Sequence, residues 1–163
     1  MSPSPRLSLR AASLDVTHAI AAALAGLSRS GDIILLAGEM GAGKTAFAQG
    51  FGRALGVTEP ITSPTFTLVH SYDTGGPTLH HADLYRLDQL AEVADLALGE
   101  LAEFDGIVLV EWGDVVESTF GEHLVVRLDV LDSDLDARQI TITPTGPTWA
   151  RRWGSLRDAV ESL

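Results

Sequence analysis

A three-layer α/β sandwich, with a mostly parallel central sheet and antiparallel additions, is the fold that this sequence predicts. Two continuous apolar runs, Ile33–Ala37 and Ile107–Val110, read as strands buried on both faces, the pattern of the middle strands of a parallel sheet. Stretches with helical spacing alternate with them, which argues for helices on the sheet's faces. The 163 residues suggest one domain spanning 1–163, long enough to bury roughly 70% of the surface of the unfolded chain around one core.

Along the chain, Leu7–Arg10 reads as a short edge strand. Asp15 is placed to cap a helix whose apolar stripe is Val16, Ile20, Leu24 and Leu27, with Gly31 as its stop. The strand Ile33–Ala37 leads into a Gly-rich turn and a second helix that runs to about Leu55, with Phe47 and Phe51 one turn apart. Gly50 and Gly52 weaken that helix by about 1 kcal/mol each relative to Ala, so a close packing against the sheet is expected there. Pro60–Pro64 is a loop, Phe66–Tyr72 is rich in β-formers, Asp73–Pro77 is a turn and Thr78–Leu84 a returning strand. Asp88–Phe104 reads as mostly helical. Leu124–Val130 and Gln139–Thr143 read as paired strands joined by an Asp-rich loop, and Trp149, Trp153, Leu156 and Val160 mark a final amphipathic helix.

Composition excludes several functions. With no cysteine there are no disulfides, thiolate metal sites or cysteine nucleophiles, which fits a reducing cytoplasm. The N-terminus lacks the long apolar run of a signal peptide, and no stretch approaches the ~18 apolar residues of a membrane span, so a cytoplasmic protein with no membrane partner is expected. The formal net charge of −11 repels phosphate backbones, so no strong direct binding of nucleic acid is expected. Ten of the eleven basic residues are arginine, and Lys44 is the single lysine.

That lysine lies in Gly38-Glu39-Met40-Gly41-Ala42-Gly43-Lys44-Thr45, which fits G-x-x-x-x-G-K-[ST], the Walker A pattern. Glycines let backbone N–H groups curl around phosphate oxygens where a Cβ would clash. The helix that follows points its positive end at the same anion. Lys44, expected to be exposed in the empty loop, is a compact charge for the β- and γ-phosphates, and the Thr45 hydroxyl is a Mg²⁺ ligand. The strand before and helix after make the fold P-loop NTPase-like, with Glu39 to Ala46 as the ATP-binding segment. Ile107–Val110 delivers Glu111 to the sheet's C-terminal edge, where ligands bind in open α/β sheets. Glu111 there is a candidate to hold Mg²⁺ or orient the attacking water, and Trp112 beside it to line the nucleotide pocket. The hydroxyl-rich loop around Pro64, with Ser63 and Thr65, stands where P-loop proteins carry a γ-phosphate switch. His80 and His81 point to opposite faces of a strand and so do not make a shared metal site. Asp83 and Arg86 are a candidate ion pair near the site.

Four blocks then coincide in order: GEMGAGKT, SPTFTLVH, HADLYRL and LVEWG. From about Asp15 to Arg138 the chain resembles the TsaE (YjeE) family, small bacterial ATPases needed to make threonylcarbamoyladenosine in tRNA. The resemblance implies a Mg²⁺-dependent ATP hydrolase, stimulated by its partners TsaB and TsaD, with tRNA held by those partners. It implies that Lys44 and Thr45 contact phosphate and Mg²⁺, that Glu111 is the second metal-site carboxylate, and that Thr65 belongs to the switch. Asp83 and Trp112 match positions tied to activity, and Asp15–Thr17 matches the contact with the adenine end. The chain departs from the family pattern at Ala46, Ala82 and Gly113, which bears on pocket shape. Two alternatives remain: a small-molecule kinase, for which no Arg-bearing lid segment is evident, and a nucleotide sensor that does not hydrolyse. A GTPase would need a second lysine for N-K-x-D.

Overall fold

In chain order the elements are β1 (Leu7–Ala11), α1 (Leu14–Leu27), β2 (Ile33–Ala37), α2 (Lys44–Leu55), β3 (Val69–Tyr72) and β4 (Thr78–Asp83). They continue with α3 (Leu98–Glu103), β5 (Gly106–Glu111), β6 (His123–Leu131), β7 (Asp134–Thr145) and α4 (Trp153–Glu161). This computed structural model describes residues 5–62, 69–84, 98–103, 105–112 and 120–163. Ser63, Thr65, Phe66, Arg86 and the first part of the helix expected over Asp88–Phe104 lie outside the described residues.

The strands form one mixed sheet in the order β1-β7-β6-β2-β5-β4-β3. The four central strands, β6, β2, β5 and β4, are mutually parallel, while β7, β1 and β3 are added antiparallel. The expected sandwich with a parallel centre is therefore the observed one. Alternation along the buried strands builds two cores. Ile34, Leu36, Ile107, Leu109, Leu124 and Val126 meet Ile20 and Leu24 of α1, Phe47 and Phe51 of α2 and Leu156 of α4 on one face. Leu35, Val108 and Val110 meet Ala82, Leu84 and Ala102 of α3 on the other.

Several boundaries differ from the sequence reading. The cap of α1 is Ser13, whose Oγ accepts from the Val16 amide at 3.4 Å; Asp15 sits inside the first turn. A serine at this position holds the same orphan amide an aspartate would. The helix stops at Leu27, where the Ser28 hydroxyl donates to the Leu24 carbonyl, and Gly31 instead turns the chain into β2 with φ of 97°. The Asp-rich segment expected as a loop is mostly strand: β6 runs to Leu131 and β7 starts at Asp134, with a register shift at Val130/Leu131. Exposed positions of a two-stranded ribbon accept aspartate because the ladder uses only backbone groups. Trp149 precedes the last helix and does not belong to it. Of the two helix glycines, Gly52 does pack toward the sheet, where a Cβ would strike Ile61 and Leu79. Gly50 does not. A Cβ there would meet the His18 Cα at 2.9 Å, so this glycine lets α2 approach α1.

The turn before α4 carries a buried ion pair. Arg152 donates through NH1 to Asp32 Oδ2 at 2.7 Å and through NH2 to Oδ1 at 3.0 Å, with both residues buried. The same guanidinium donates to the carbonyls of Leu27 and Thr148 and lies over the Trp149 ring at 3.7 Å. It ties the end of α1, the start of β2 and the C-terminal helix into one cluster. Removing one partner of such a pair leaves a buried charge. Arg152→Ala is thus expected to lower unfolding free energy by about 3–5 kcal/mol in urea titration. Arg10→Ala, which breaks the exposed pair with Asp134, should lower it by less than about 1 kcal/mol.

Candidate functional site

The parallel register sets the site. Glu111 stands level with Leu36 on one neighbour and with Asp83 on the other. Both carboxylates are therefore on the sheet face covered by α2, at the C-terminal edge of the strands. Just beyond β2, the loop Gly38–Gly43 turns into α2 at the same edge. Gly43 precedes the helix with φ of 105° and provides no side-chain cap. Gly38, with φ of 138°, lies where a Cβ would strike the Leu128 carbonyl oxygen. Only glycine allows that combination of angle and contact.

Loop, helix start and strand ends enclose a cavity of about 350 Å³ lined by Met40, Gly41, Gly43, Lys44, Thr45, Ala46, Asp83, Glu111 and Trp112. Most of the residues singled out from sequence thus meet in one place. Glu39 and Ala42 are in the loop but not on the cavity wall. The Glu39 carbonyl faces Lys44, and Ala42 is buried beneath the loop. Asp15 and Thr17 lie on α1, Asp15 exposed and Thr17 buried, and neither lines the cavity.

Within the cavity, Thr45 Oγ1 donates to Glu111, at 3.0 Å from Oε1 and 3.2 Å from Oε2. Glu111 is buried, and on its far side Oε2 lies 2.6 Å from Nε2 of the fully buried His81. Sequence reasoning separated His80 from His81 but did not connect His81 with Glu111. Strand alternation puts His81 on the face of Asp83, but only the register of β4 against β5 brings that face to Glu111. His80 points the other way, with the Ser71 hydroxyl 2.7 Å from its Nδ1, and burial pushes its pKa below the usual histidine value.

Lys44 departs from expectation. An exposed ammonium in an open loop was expected; the residue is 5% exposed. Its Nζ is turned back to donate to the carbonyls of Gly38 at 2.7 Å and Glu39 at 2.8 Å. The Trp112 ring closes over it, 3.8 Å from ring centroid to Nζ, a cation–π contact that screens the charge from water. Trp112 reaches this place through a left-handed backbone, φ of 65°, unusual for a bulky residue, while its amide donates to the Leu36 carbonyl at 2.8 Å.

A further support was also missed. Arg138 reaches from β7 to the loop and donates through Nε to the Ala42 carbonyl at 2.9 Å. Arg152 is buried against Asp32, and Arg127 is 3.4 Å from Asp129.

No cluster of three His, Asp or Glu side chains suited to a metal occurs among the described residues. The adjoining Thr45 hydroxyl and Glu111 carboxylate are nevertheless a hard-oxygen pair. That matches Mg²⁺, which takes one or two protein oxygens and completes its shell with phosphates and water.

The family model described as threonylcarbamoyl adenosine biosynthesis protein TsaE matches residues 11–140. The tRNA threonylcarbamoyladenosine biosynthesis protein TsaE of Bacillus subtilis is 36% identical over 141 residues, covering 86% of this chain and 87% of that protein. That of Streptomyces coelicolor is 43% identical over 133 residues, 78% and 89% of the two chains. The crystal structure of Bacillus subtilis YdiB superposes with a TM-score of 0.78 at 31% identity, covering 99% of this chain and 98% of that one. The chain belongs to the TsaE family of tRNA threonylcarbamoyladenosine biosynthesis proteins.

Proposed function

We propose that this protein is a Mg²⁺-dependent ATPase that works with TsaB and TsaD in the cytoplasm to form threonylcarbamoyladenosine in tRNA. One observation carries the reading: the Thr45 hydroxyl at the start of α2 and the buried Glu111 carboxylate meet at 3.0 Å on the wall of a cavity that also holds Lys44. Hydroxyl, carboxylate and ammonium are the three groups that a phosphoryl-transfer site needs beside a triphosphate. On ATP binding, Lys44 exchanges the carbonyls of Gly38 and Glu39 for phosphate oxygens. The two contacts it gives up are neutral acceptors and the ones it gains are anionic, so the exchange is favourable. Thr45 and Glu111 would hold Mg²⁺, which neutralises charge on the β- and γ-phosphates. Asp83, level with Glu111 on the neighbouring strand, offers a second carboxylate to orient water.

No arginine lines the cavity among the described residues. A transition-state cation delivered by a partner accelerates P-loop hydrolysis by about 10³–10⁵-fold, so slow turnover alone and stimulation by TsaB–TsaD belong together in this reading. The negative net charge and the engagement of Arg138 and Arg152 inside the fold support a protein that leaves tRNA to its partners.

Three outcomes test the proposal. Lys44→Ala should abolish ATP hydrolysis in phosphate-release assays with TsaB–TsaD. It should also reduce unfolding free energy by about 1–3 kcal/mol, because the Gly38 and Glu39 carbonyls lose their charged donor. Turnover equal to the parent's would rule out the loop as the phosphate site. Glu111→Gln should still bind a fluorescent ATP analogue while hydrolysis falls about 10²-fold or more. Loss of binding together with hydrolysis would mean that Glu111 maintains the site and has no part in the chemistry. Finally, the isolated chain should bind tRNA no more tightly than ~10⁻⁴ M at physiological salt; micromolar binding by filter retention would contradict the division of labour.

A further inference from the structure

We infer that His81 is a positioning residue that fixes the orientation of the Glu111 carboxylate, an inference that rests on the proposed role of Glu111 at the metal. Nε2 of His81 and Oε2 of Glu111 are 2.6 Å apart, and the two side chains are 0% and 4% exposed. A separation so short requires a proton between the atoms, since two bare acceptors would repel. The opposite ring nitrogen, Nδ1, is buried and has no hydrogen-bond partner among the described residues. Glu111 is thus the ring's one partner, and in the Nε2–H tautomer the imidazole donates to its carboxylate. A histidine kept only as a core residue would be expected to satisfy both nitrogens. Here the ring's one hydrogen bond is spent on the carboxylate.

The position of His81 follows from the strand geometry. It lies two residues before Asp83 on β4, on the same face, and level with Leu109 of β5, two residues before Glu111. The imidazole thus reaches Glu111 from below, inside the sheet, while Thr45 approaches from the cavity side. Without His81 the Glu111 carboxylate loses the partner that fixes Oε2, and its terminal torsion is broad, with no staggered wells. With Oε2 held, Oε1 is presented to Thr45 in one orientation. Hydrogen-bond partners behind a metal-binding carboxylate typically contribute about 10–100-fold in metal affinity or activity.

The test uses the full chain and three variants. His81→Phe keeps the ring's bulk and removes the donor. His81→Gln keeps an amide N–H near the position of Nε2, and Glu111→Gln serves as the reference. Binding of a fluorescent ATP analogue is measured in EDTA and across a Mg²⁺ titration, with phosphate release in the presence of TsaB–TsaD as a second readout. His81→Phe should bind the analogue in EDTA like the parent but need about 10–100-fold more Mg²⁺ for its metal-dependent binding and turnover. His81→Gln should restore most of that shift. If Phe is not accommodated, Gln against Met, two unbranched side chains of equal reach, poses the same question. The inference is overturned if Glu111→Gln shifts the Mg²⁺ requirement while the donor-free variant does not. It is also overturned if Gln is as impaired as Phe or Met, because ring shape and not the donor would then be what matters. If Glu111→Gln itself leaves the Mg²⁺ requirement unchanged, the proposed metal role of Glu111 fails and the inference falls with it.

Discussion

The parallel alignment of β2, β5 and β4 is the constraint on which the rest of the molecule depends. Because these strands run in one direction, their C-terminal ends lie side by side, and the register makes Leu36, Glu111 and Asp83 neighbours in a row. β2 hands the chain directly to the loop and α2, so Lys44 and Thr45 arrive over the same row. A slip of one residue in β5 would turn Glu111 to the opposite face, where Leu35, Val108 and Val110 are packed, and bury a charge in an apolar layer. The apolar alternation of β5 therefore fixes where the carboxylate points as well as holding the sheet together.

Around that row the supports come from distant parts of the chain. Arg138 holds the Ala42 carbonyl from the far hairpin, Trp112 covers Lys44 from the end of β5, and His81 holds Glu111 from within β4. Each is one side chain acting on one loop or carboxylate group. His81 and Arg138 stand on strands and Trp112 directly follows one, which suits a site whose geometry must hold to a fraction of an ångström. Arg152 and Asp32 do the corresponding work for the helical layer, where a single guanidinium joins α1, β2 and the approach to α4.

Much of this was legible in the sequence because it is local. Continuous apolar runs announced β2 and β5, and the Gly-rich turn announced a helix directly after it. The family blocks from Asp15 to Arg138 agree with the matched span of 11–140. What escaped is non-local. Asp32 and Arg152 are 120 residues apart and nothing in either neighbourhood announces the other. The partnership of His81 with Glu111 needs the relative register of β4 and β5, which strand periodicity alone does not supply. Lys44 looked exposed because Gly-rich loops usually are, and its burial depends on Trp112 taking a left-handed backbone that sequence does not advertise for an aromatic residue. The Asp-rich hairpin misled in the opposite direction: a composition typical of loops was accommodated on exposed strand positions.

The contact between Lys44 and Trp112 has an optical consequence. An ammonium 3.8 Å from the indole centroid perturbs the ring's electronic states, and any ligand that draws Lys44 away removes that perturbation. The other two tryptophans lie elsewhere, Trp149 beneath Arg152 and Trp153 in the core at the start of α4. Should a ligand draw Lys44 off the ring, the emission of Trp112 would change with it, and the unlabelled chain would carry its own fluorophore at the mouth of the loop.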